Sequence, residues 1–448
     1  MMPFPISEAT ALRHADPAPK ACDVVVIGGG VIGVMTAWFL AEAGQRVVLC
    51  EKGRIAGEQS SRNWGWIRQQ GRDYAELPIM MESLRIWQGL SQEFGPDLGF
   101  RQGGVLYLAR TEAEMAGFQD WLDGARGFGV DTRMLDRAEV AQQVSGAAAP
   151  WTGALFTPSD ARAEPWVAVP ILAQGAVARG AVLVENCAVR ALDLAGGRVS
   201  GVITEQGRIA CDQVVLAGGA WSALFARAAE VNLPQLSVKA TVMATMPLPE
   251  VFAGNAADDR FAFRRRQDGG YSLAPGAAHD FYLGPDAFRH FGAYLPVLRK
   301  DFRATRFHPK APADYPDGWG TPRHWSPDAI SPFERQRVLN PAPSARIMSE
   351  VCAAFASAFP AIGTPPLRAA WAGMIDTMPD VVPVIDRVAS IPGFTIATGL
   401  SGHGFGIGPG MGRVIADLVL GRHTGHDLSR FRVSRFTDGS KITLGPSL

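Results

Sequence analysis

The sequence predicts an α/β domain, divided into several pieces along the chain, combined with an α+β domain inserted between those pieces. A β-branched run at 23–27 is followed by three glycines and by a helical pattern over 31–43. Uninterrupted runs of this kind favour strands that are buried on both faces of a parallel sheet. Apolar runs followed by glycines occur again at 213–219 and after residue 365. The stretches between them have the patterns of amphipathic helices and longer strands.

Composition excludes several classes of protein. The 448 residues carry 43 basic and 43 acidic side chains, so a general electrostatic attraction to nucleic acid is not expected. Five scattered cysteines with no paired spacing predict neither a disulfide framework nor a metal site. Residues 24–41 are long enough to imitate a membrane span, but the central glycines favour a strand, a turn and a helix. We therefore expect a soluble, cytoplasmic protein with no transmembrane segment.

The domain organisation follows from these changes in hydrophobic pattern along the chain. We expect a flexible tail at 1–20, the first domain at 21–75, 160–235 and 365–448, and a second domain with an antiparallel sheet at 76–159 and 236–364. Within the latter, 280–332 forms a small extra α+β module. Short strands at 181–184, 187–194, 198–204 and 207–210 predict a meander, because glycine turns separate them.

A GxGxxG motif at 28–33 lies between the first predicted strand and helix. In a glycine-rich chain the bare motif is weak, but the second strand ends at Glu51, which completes a Rossmann-like unit. Gly28 permits the tight turn, Gly30 lets the backbone approach a pyrophosphate, and Gly33 allows close packing. The amides of Val31 and Ile32 open the helix toward the phosphates, and Glu51 accepts hydrogen bonds from a ribose. The alternative is a glycine turn in an α/β domain without a cofactor.

A second glycine-rich segment begins another helix near the end of the chain, and it indicates FAD rather than NAD. In flavoenzymes such a helix start faces the flavin pyrimidine ring, where negative charge develops on reduction. Two alternatives stay open: the whole segment is also compatible with a turn in the core, and His403 with a turn or packing residue. The predicted contacts here are Gly402, His403, Gly404, Phe405, Gly406 and Ile407.

With these motifs assembled, the chain resembles the D-amino-acid-oxidase/glycine-oxidase superfamily of FAD amine oxidoreductases. The resemblance covers about 22–435 and includes the turn at 60–63, the strand and turn at 214–219, Trp371-Ala372-Gly373 with Pro379-Asp380, and 402–412. Within the superfamily, the chain is most similar to bacterial L-amino-acid deaminases and related oxidases, through the stretches 187–190, 213–221, 263–264 and 332–334.

One departure from the superfamily concerns the carboxylate of the substrate. D-amino-acid and glycine enzymes carry an arginine two residues after this Trp-Ala-Gly motif, where this chain has Ile375. A carboxylate in a dry site still requires a planar, bidentate donor. The resemblance to deaminases places that donor at Arg264, with Arg266 as the fallback on the same strand face. A surface position for Arg264 is the alternative.

The resemblance implies oxidative deamination of L-α-amino acids to 2-oxo acids and ammonia, by hydride transfer to non-covalently bound FAD. Molecular oxygen then reoxidises the flavin and hydrogen peroxide is released. Trp371, Trp221 and Gln70 are expected beside the substrate. The two tryptophans also suit core packing, and Arg68, Gln69 and Gln70 also suit a solvated polar loop. Further FAD contacts are predicted at Lys52, Ser60, Ser61, Arg62, Arg68, Gln69, Val189, Gly218, Gly219 and Trp221.

Other functions stay open at this point. A deaminase that passes electrons to a membrane quinone is one, because 280–332 resembles the module with which deaminases contact the membrane. A D-amino-acid or secondary-amine oxidase is another, and a flavin-binding sensor without catalysis is a third. The oligomeric state is also open, with a homodimer among the alternatives.

Overall fold

The computed structural model describes residues 4–148, 151–302 and 304–445, so the outermost residues of the predicted tail and of the last segment lie outside it, as do 149–150 and 303. The strands are β1 Val24–Ile27, β2 Val47–Cys50, β3 Trp66–Ile67, β4 Arg101–Gln102, β5 Val105–Ala109, β6 Arg133–Asp136, β7 Gly153–Thr157, β8 Ala161–Arg162, β9 Val182–Val184, β10 Val189–Ala195, β11 Arg198–Thr204, β12 Gly207–Ala210, β13 Gln213–Leu216, β14 Leu236–Thr245, β15 Asn255–Ala257, β16 Phe261–Arg265, β17 Tyr271–Pro275, β18 His279–Tyr282, β19 Thr305–His308, β20 Leu367–Thr377, β21 Val384–Arg387 and β22 Phe394–Thr398.

The α-helices are α1 Val31–Glu42, α2 Gln59–Arg62, α3 Leu77–Phe94, α4 Glu112–Ala125, α5 Arg137–Gln143, α6 Pro165–Ala178, α7 Ser222–Ala228, α8 Pro285–Arg289, α9 Phe291–Asp301, α10 Pro332–Arg335, α11 Ala345–Ala358 and α12 Gly404–Leu420. Short 3₁₀ turns occur at Gly95–Leu98, Arg126–Phe128, Gly219–Trp221, Ser429–Phe431 and Val433–Phe436. Over the described part of the chain, none of these helices combines the length and the apolar character needed to cross a membrane.

A six-stranded sheet forms the α/β part, in the order β21-β22-β13-β1-β2-β9. All neighbours are parallel except the edge strand β21, and the fully buried strands β1 and β2 explain the apolar runs in the sequence. β9 belongs to this sheet, where Val48 pairs with Val182. The predicted meander is therefore wrong in its first strand, and only β10, β11 and β12 form it. The α/β and α+β fold is confirmed.

The second sheet has ten strands, in the order β19-β18-β14-β17-β16-β15-β5-β7-β6 with β20 beside β14. Most neighbours are antiparallel as expected, but β15 pairs with β5, and β18 with β19, in parallel. β20 pairs with β14 in antiparallel register, with Leu236 opposite Thr377 at one end and Thr245 opposite Leu367 at the other. The predicted boundary at 365 therefore places β20 in the wrong domain. The apolar, glycine-containing sequence of β20 is similar to that of the strands and turns of the first domain.

The N-terminal segment corrects the expectation of a flexible tail. Phe4 stacks on Trp166 with 4.6 Å between ring centroids, and Ile6 is buried in the main core. The backbone oxygen of Thr10 accepts a hydrogen bond from Nε of Arg54 at 2.6 Å. Apolar side chains and backbone carbonyls hold this segment although its sequence lacks any regular pattern.

Candidate active site

The site is a cavity of about 570 Å³ that lies at the carboxyl ends of β1, β2 and β13 and extends to the ten-stranded sheet. Ligands of open α/β sheets bind at this edge. The cavity brings together residues from distant parts of the chain. The predicted residues that line it are Gly28, Gly30, Val31, Ile32, Glu51, Lys52, Ser60, Arg62, Arg68, Val189, Gly218, Gly219, Trp221, Gly402, His403, Gly404 and Phe405.

The turn between β1 and α1 requires its glycines. Gly28 has a φ of 108°, and a Cβ at this position would lie 2.4 Å from the carbonyl oxygen of Ala217. A Cβ at Gly33 would lie 1.9 Å from the oxygen of Gly28, so Gly33 serves packing and does not line the cavity. Gly30 is the N-cap of α1 and has no side chain to bind the helix amides. The hydroxyl oxygen of Ser60 accepts a hydrogen bond from the Val31 amide at 2.9 Å. The start of α1 thus presents amides to the cavity, as an anion site requires.

Glu51 lies at one end of the cavity, at the tip of β2. Its two carboxylate oxygens accept hydrogen bonds from the amides of Gly29 and Gly53, each at 2.7 Å. Burial raises the pKa of the Glu51 carboxyl to about 6, and the nearby Lys52 opposes this shift. The geometry suits a carboxylate that accepts further hydrogen bonds from ribose hydroxyls.

The start of α12 forms another part of the wall. His403 precedes the helix, and no side chain caps it. Nδ1 of His403 lies 3.7 Å from the buried carboxylate of Glu76, which Arg72 binds at 2.8 Å, and burial lowers the pKa of His403. Four of the predicted residues here line the cavity, but Gly406 and Ile407 do not. A Cβ at Gly406 would lie 2.9 Å from the Cα of Ile67, so this glycine permits close packing of α12 on β3.

The far end of the cavity is an aromatic chamber lined by Trp64, Trp66, Tyr107 and Phe118. The rings follow one another at 5.4, 6.3 and 6.2 Å between centroids. The guanidinium of Arg68 lies 5.7 Å from the centre of the Tyr107 ring. Sequence reasoning missed these four aromatic residues. Trp64 and Trp66 flank Gly65 just after the predicted turn and could have been noticed, whereas Tyr107 and Phe118 had no local signal.

Residues 23–418 match the family described as FAD dependent oxidoreductase. The chain belongs to this family. Its structure is similar to that of L-amino acid deaminase from Proteus myxofaciens, with a TM-score of 0.91 and 30% identity over 96% of this chain and 97% of that one.

Curated relatives include sarcosine oxidase subunits. The beta subunit from Rhizobium meliloti is 32% identical over 233 residues, which are 50% of this chain and 56% of the relative. The chain thus spans little more than half of that relative. The beta subunit from Rhodobacter capsulatus is 24% identical over 439 residues, with 95% of this chain and 92% of the relative covered.

FAD is the cofactor of this family, and the cavity of this FAD dependent oxidoreductase fits it. Gly28 and Gly30 give the backbone the close approach that a pyrophosphate needs, and a Cβ on Gly30 would lie 3.1 Å from Oγ of Ser60. Glu51 suits the ribose, and the start of α12 suits the flavin. Non-covalent attachment stays a prediction.

Arg264 does not occupy the position predicted for it in this flavoenzyme. Its guanidinium is fully buried, lies outside the cavity wall and donates two hydrogen bonds to Glu164, each at 2.9 Å. A second buried arginine, Arg162, lies near the same carboxylate. Arg264 is therefore neutralised by a partner that its own strand does not reveal. The fallback Arg266 is likewise buried and pairs with Asp268 at 3.0 Å.

The other residues expected beside the substrate of this flavoenzyme also lie elsewhere. Trp371 packs against Phe4, and its Nε1 donates to the backbone oxygen of Arg62 at 3.0 Å, so it is a core residue. Gln70 is buried outside the cavity and accepts a hydrogen bond from Thr157 at 2.8 Å.

Trp221 lies at the Glu51 end of the cavity, away from the aromatic chamber. Nζ of Lys52 is 4.4 Å from the centre of its ring. Ser61 and Gln69 do not line the cavity. Ser61 is buried, and the Gln69 amide binds Asp160.

Asp376 is a cavity residue that the sequence did not suggest. It is fully buried and accepts hydrogen bonds from Gln235, Thr398 and the amide of Gly399, and burial raises its pKa. Its network joins β20 of the ten-stranded sheet to β22 of the six-stranded sheet. The carboxylate therefore fixes one domain against the other at the cavity wall.

Proposed function

We propose that the protein catalyses the oxidative deamination of L-α-amino acids. The overall reaction converts an amino acid, oxygen and water into a 2-oxo acid, ammonia and hydrogen peroxide. When bound, FAD accepts the hydride that leaves Cα of the substrate. The observation that carries the proposal is a cationic side chain, Arg68, in an aromatic chamber at the far end of a dinucleotide cavity.

Arg68 is the residue that we assign to the α-carboxylate, in place of Arg264. One of its terminal nitrogens donates to the backbone oxygen of Gln70, and no carboxylate in the described ranges pairs with it. A guanidinium has five N–H donors, so most of them are available to a ligand. The Tyr107 hydroxyl, beside Arg68, also has no hydrogen-bond partner among the described residues. Together, these two groups suit a carboxylate.

The aromatic chamber contributes by excluding water. Four rings line the chamber where the substrate would lie, and a dry site strengthens the interaction between Arg68 and a carboxylate. Orientation follows from the bidentate geometry of such a pair, which fixes the Cα–H bond relative to the cavity.

The preference for the L-enantiomer rests on the similarity to L-amino acid deaminase over 96% of the chain. The experiment is anaerobic reduction of the purified, FAD-loaded protein by L-amino acids, D-amino acids and sarcosine. We expect L-amino acids to bleach the flavin absorbance. Bleaching by D-amino acids or by sarcosine alone would replace the proposal by a D-amino-acid or secondary-amine oxidase.

A quinone as the electron acceptor is the second candidate, and one surface favours it. Large apolar side chains are exposed between 288 and 330, including Phe288 and Phe302, each 62% exposed, and Trp319. Exposed apolar surface of this kind marks contact with a partner or a membrane. Peroxide release in air supports oxygen as the acceptor. Rapid reduction of a short-chain quinone without peroxide would support the alternative.

A further inference from the structure

Behind the aromatic chamber lies a buried group of charged residues that the proposed function does not use. Arg162 and Arg264 are 4% and 0% exposed, and Glu164 is the carboxylate that lies between them. Glu164 binds Arg264 at 2.9 Å, whereas it is 3.7 Å from Nη1 of Arg162. Together with Trp66 and Asn255, these residues form what we call the deep cluster. The deep cluster holds two guanidinium groups and one carboxylate.

The charge of the deep cluster is not compensated by its surroundings. Burial, and then repulsion by Arg264, lower the pKa of Arg162 to about 10, so Arg162 is still protonated at neutral pH. The other charged groups that act on Arg162 are Arg101 and Arg265, which are also basic. A buried charge without a partner is strongly unfavourable. Water could fill such a position, but it would not remove the excess positive charge.

Three buried donors in the deep cluster lack an acceptor. Nε of Arg162, Nε of Arg264 and Nε1 of Trp66 have no hydrogen-bond partner within the described ranges. Buried donors are almost always paired in folded proteins, so each exception requires an explanation. An anion would accept these hydrogen bonds and neutralise the charge at the same time.

The deep cluster lies beside the chamber on the same face of the ten-stranded sheet. Tyr107 and Ala257 line the cavity and are neighbours in the β5–β15 pair. Two residues back along β15 is Asn255, directly opposite Arg264 of β16. Side chains two residues apart on a strand share a face and are separated by about 7 Å. The deep cluster therefore begins one such step beyond the chamber.

Trp66 belongs to both the deep cluster and the chamber and lies at their boundary. It lines the cavity, and in the β3–β8 pair it lies directly opposite Arg162. Its Nε1 makes no hydrogen bond to the described protein, so no polar contact fixes the indole. Movement of this side chain would be needed to bring a ligand from the chamber to Arg162 and Arg264, which do not line the cavity.

We propose that the deep cluster is a second carboxylate subsite, and that amino acids with a carboxylate at the end of the side chain are substrates of this enzyme. The inference rests on the proposed function, in which Arg68 holds the α-carboxylate. The guanidinium of Arg162 offers a planar pair of donors that matches a carboxylate. Neutral side chains would leave this charge unpaired.

The experiment measures binding without turnover in the FAD-loaded, full-length protein. Glutarate and acetate are titrated at constant ionic strength, and the flavin difference spectrum and the thermal midpoint are recorded. We expect glutarate to bind roughly tenfold or more tightly than acetate, and Arg162→Gln to abolish that difference. The matched control is Arg198→Gln, an exposed arginine on β11 of the separate three-stranded sheet, which should leave the difference unchanged.

Several outcomes decide the matter. Equal binding of glutarate and acetate, or an Arg162→Gln variant that retains the preference, overturns the proposal. Chloride that competes with glutarate at equal concentration would show a site for free anions and overturn the substrate assignment. If Arg162→Gln does not fold, Arg162→Lys keeps the charge without the planar fork, and we expect it to weaken glutarate binding alone.

The subsite and the proposed function can fail separately. Anaerobic flavin reduction is compared for L-glutamate, L-leucine and their D-enantiomers. Arg162-dependent glutarate binding without reduction by any amino acid would support the subsite and contradict the function. Reduction by L-leucine without a glutarate preference would support the function and contradict the subsite.

Discussion

Oδ1 of Asp160 lies 2.7 Å from the backbone nitrogen of Gln69 and accepts its hydrogen bond. The other carboxylate oxygen accepts a hydrogen bond from the Gln70 amide at 3.2 Å. Asp160 thus holds the backbone that follows Arg68, although it does not line the cavity itself. Burial raises the pKa of Asp160 to about 7, against the opposing effect of these amides.

The first prediction concerns the pH dependence of stability. Because the pKa of Asp160 is higher in the folded state than in the unfolded state, its contribution is most favourable below about pH 4. That contribution is lost as the pH rises through about 7, at about 1.4 kcal/mol per unit of pKa difference. We expect Asp160→Asn to flatten the fall in unfolding free energy between these pH values. Denaturant titrations across the range test this, and identical slopes for both proteins would contradict it.

The second prediction tests Arg68 as the carboxylate anchor. Arg68→Gln should raise KM for L-amino acids roughly 10- to 100-fold, because a charged hydrogen-bonded pair is lost. FAD content should stay unchanged, since the dinucleotide end of the cavity is untouched. Steady-state kinetics and the flavin absorbance measure both effects. Arg413→Gln, which removes an arginine paired with Glu82 outside the cavity wall, is the control. An unaltered KM in Arg68→Gln would refute the assignment.

The third prediction concerns the buried pair of Arg264 and Glu164. Arg264→Ala removes two charge-assisted hydrogen bonds to Glu164, which keeps Arg162 as a weaker partner, and should lower the unfolding free energy by about 1.5–3 kcal/mol. The triple variant Arg162→Met, Arg264→Met, Glu164→Leu removes all three charges of the deep cluster and should recover a large part of that loss. Urea denaturation of the three proteins provides the comparison. Equal stability of wild type and Arg264→Ala would show that the pair contributes nothing to the fold.

The fourth prediction concerns FAD affinity. Burial raises the pKa of the Glu51 carboxyl to about 6. Protonation then leaves this carboxyl with fewer oxygen lone pairs to accept hydrogen bonds from the ribose hydroxyls. FAD affinity should therefore fall as the pH is lowered through about 6. Glu51→Gln should bind FAD roughly tenfold or more weakly and lose this pH dependence. Fluorescence of released FAD measures both, and constant affinity between pH 5 and pH 8 in the wild type would disprove the role.

Local pattern was sufficient to predict the first strand, turn and helix and the residues at the dinucleotide end of the cavity. Each depends on neighbours a few positions away, as with Gly28 at the tip of β1. The substrate end depends on pairing between distant strands. Arg264 meets Glu164 from a hundred positions earlier in the chain, and no periodicity in either segment indicates that contact. Trp371 was misassigned for the same reason, because its partner Phe4 lies in a segment without a pattern.

That aromatic contact has a practical consequence for work with the protein. Phe4 sits between Trp166 and Trp371, and the backbone oxygen of Ile6 binds Arg62, which lines the cavity. An affinity tag fused directly before Phe4 would disturb the packing of Phe4 and the hydrogen bond between Ile6 and Arg62. Through Arg62 it would also disturb the wall of the FAD cavity.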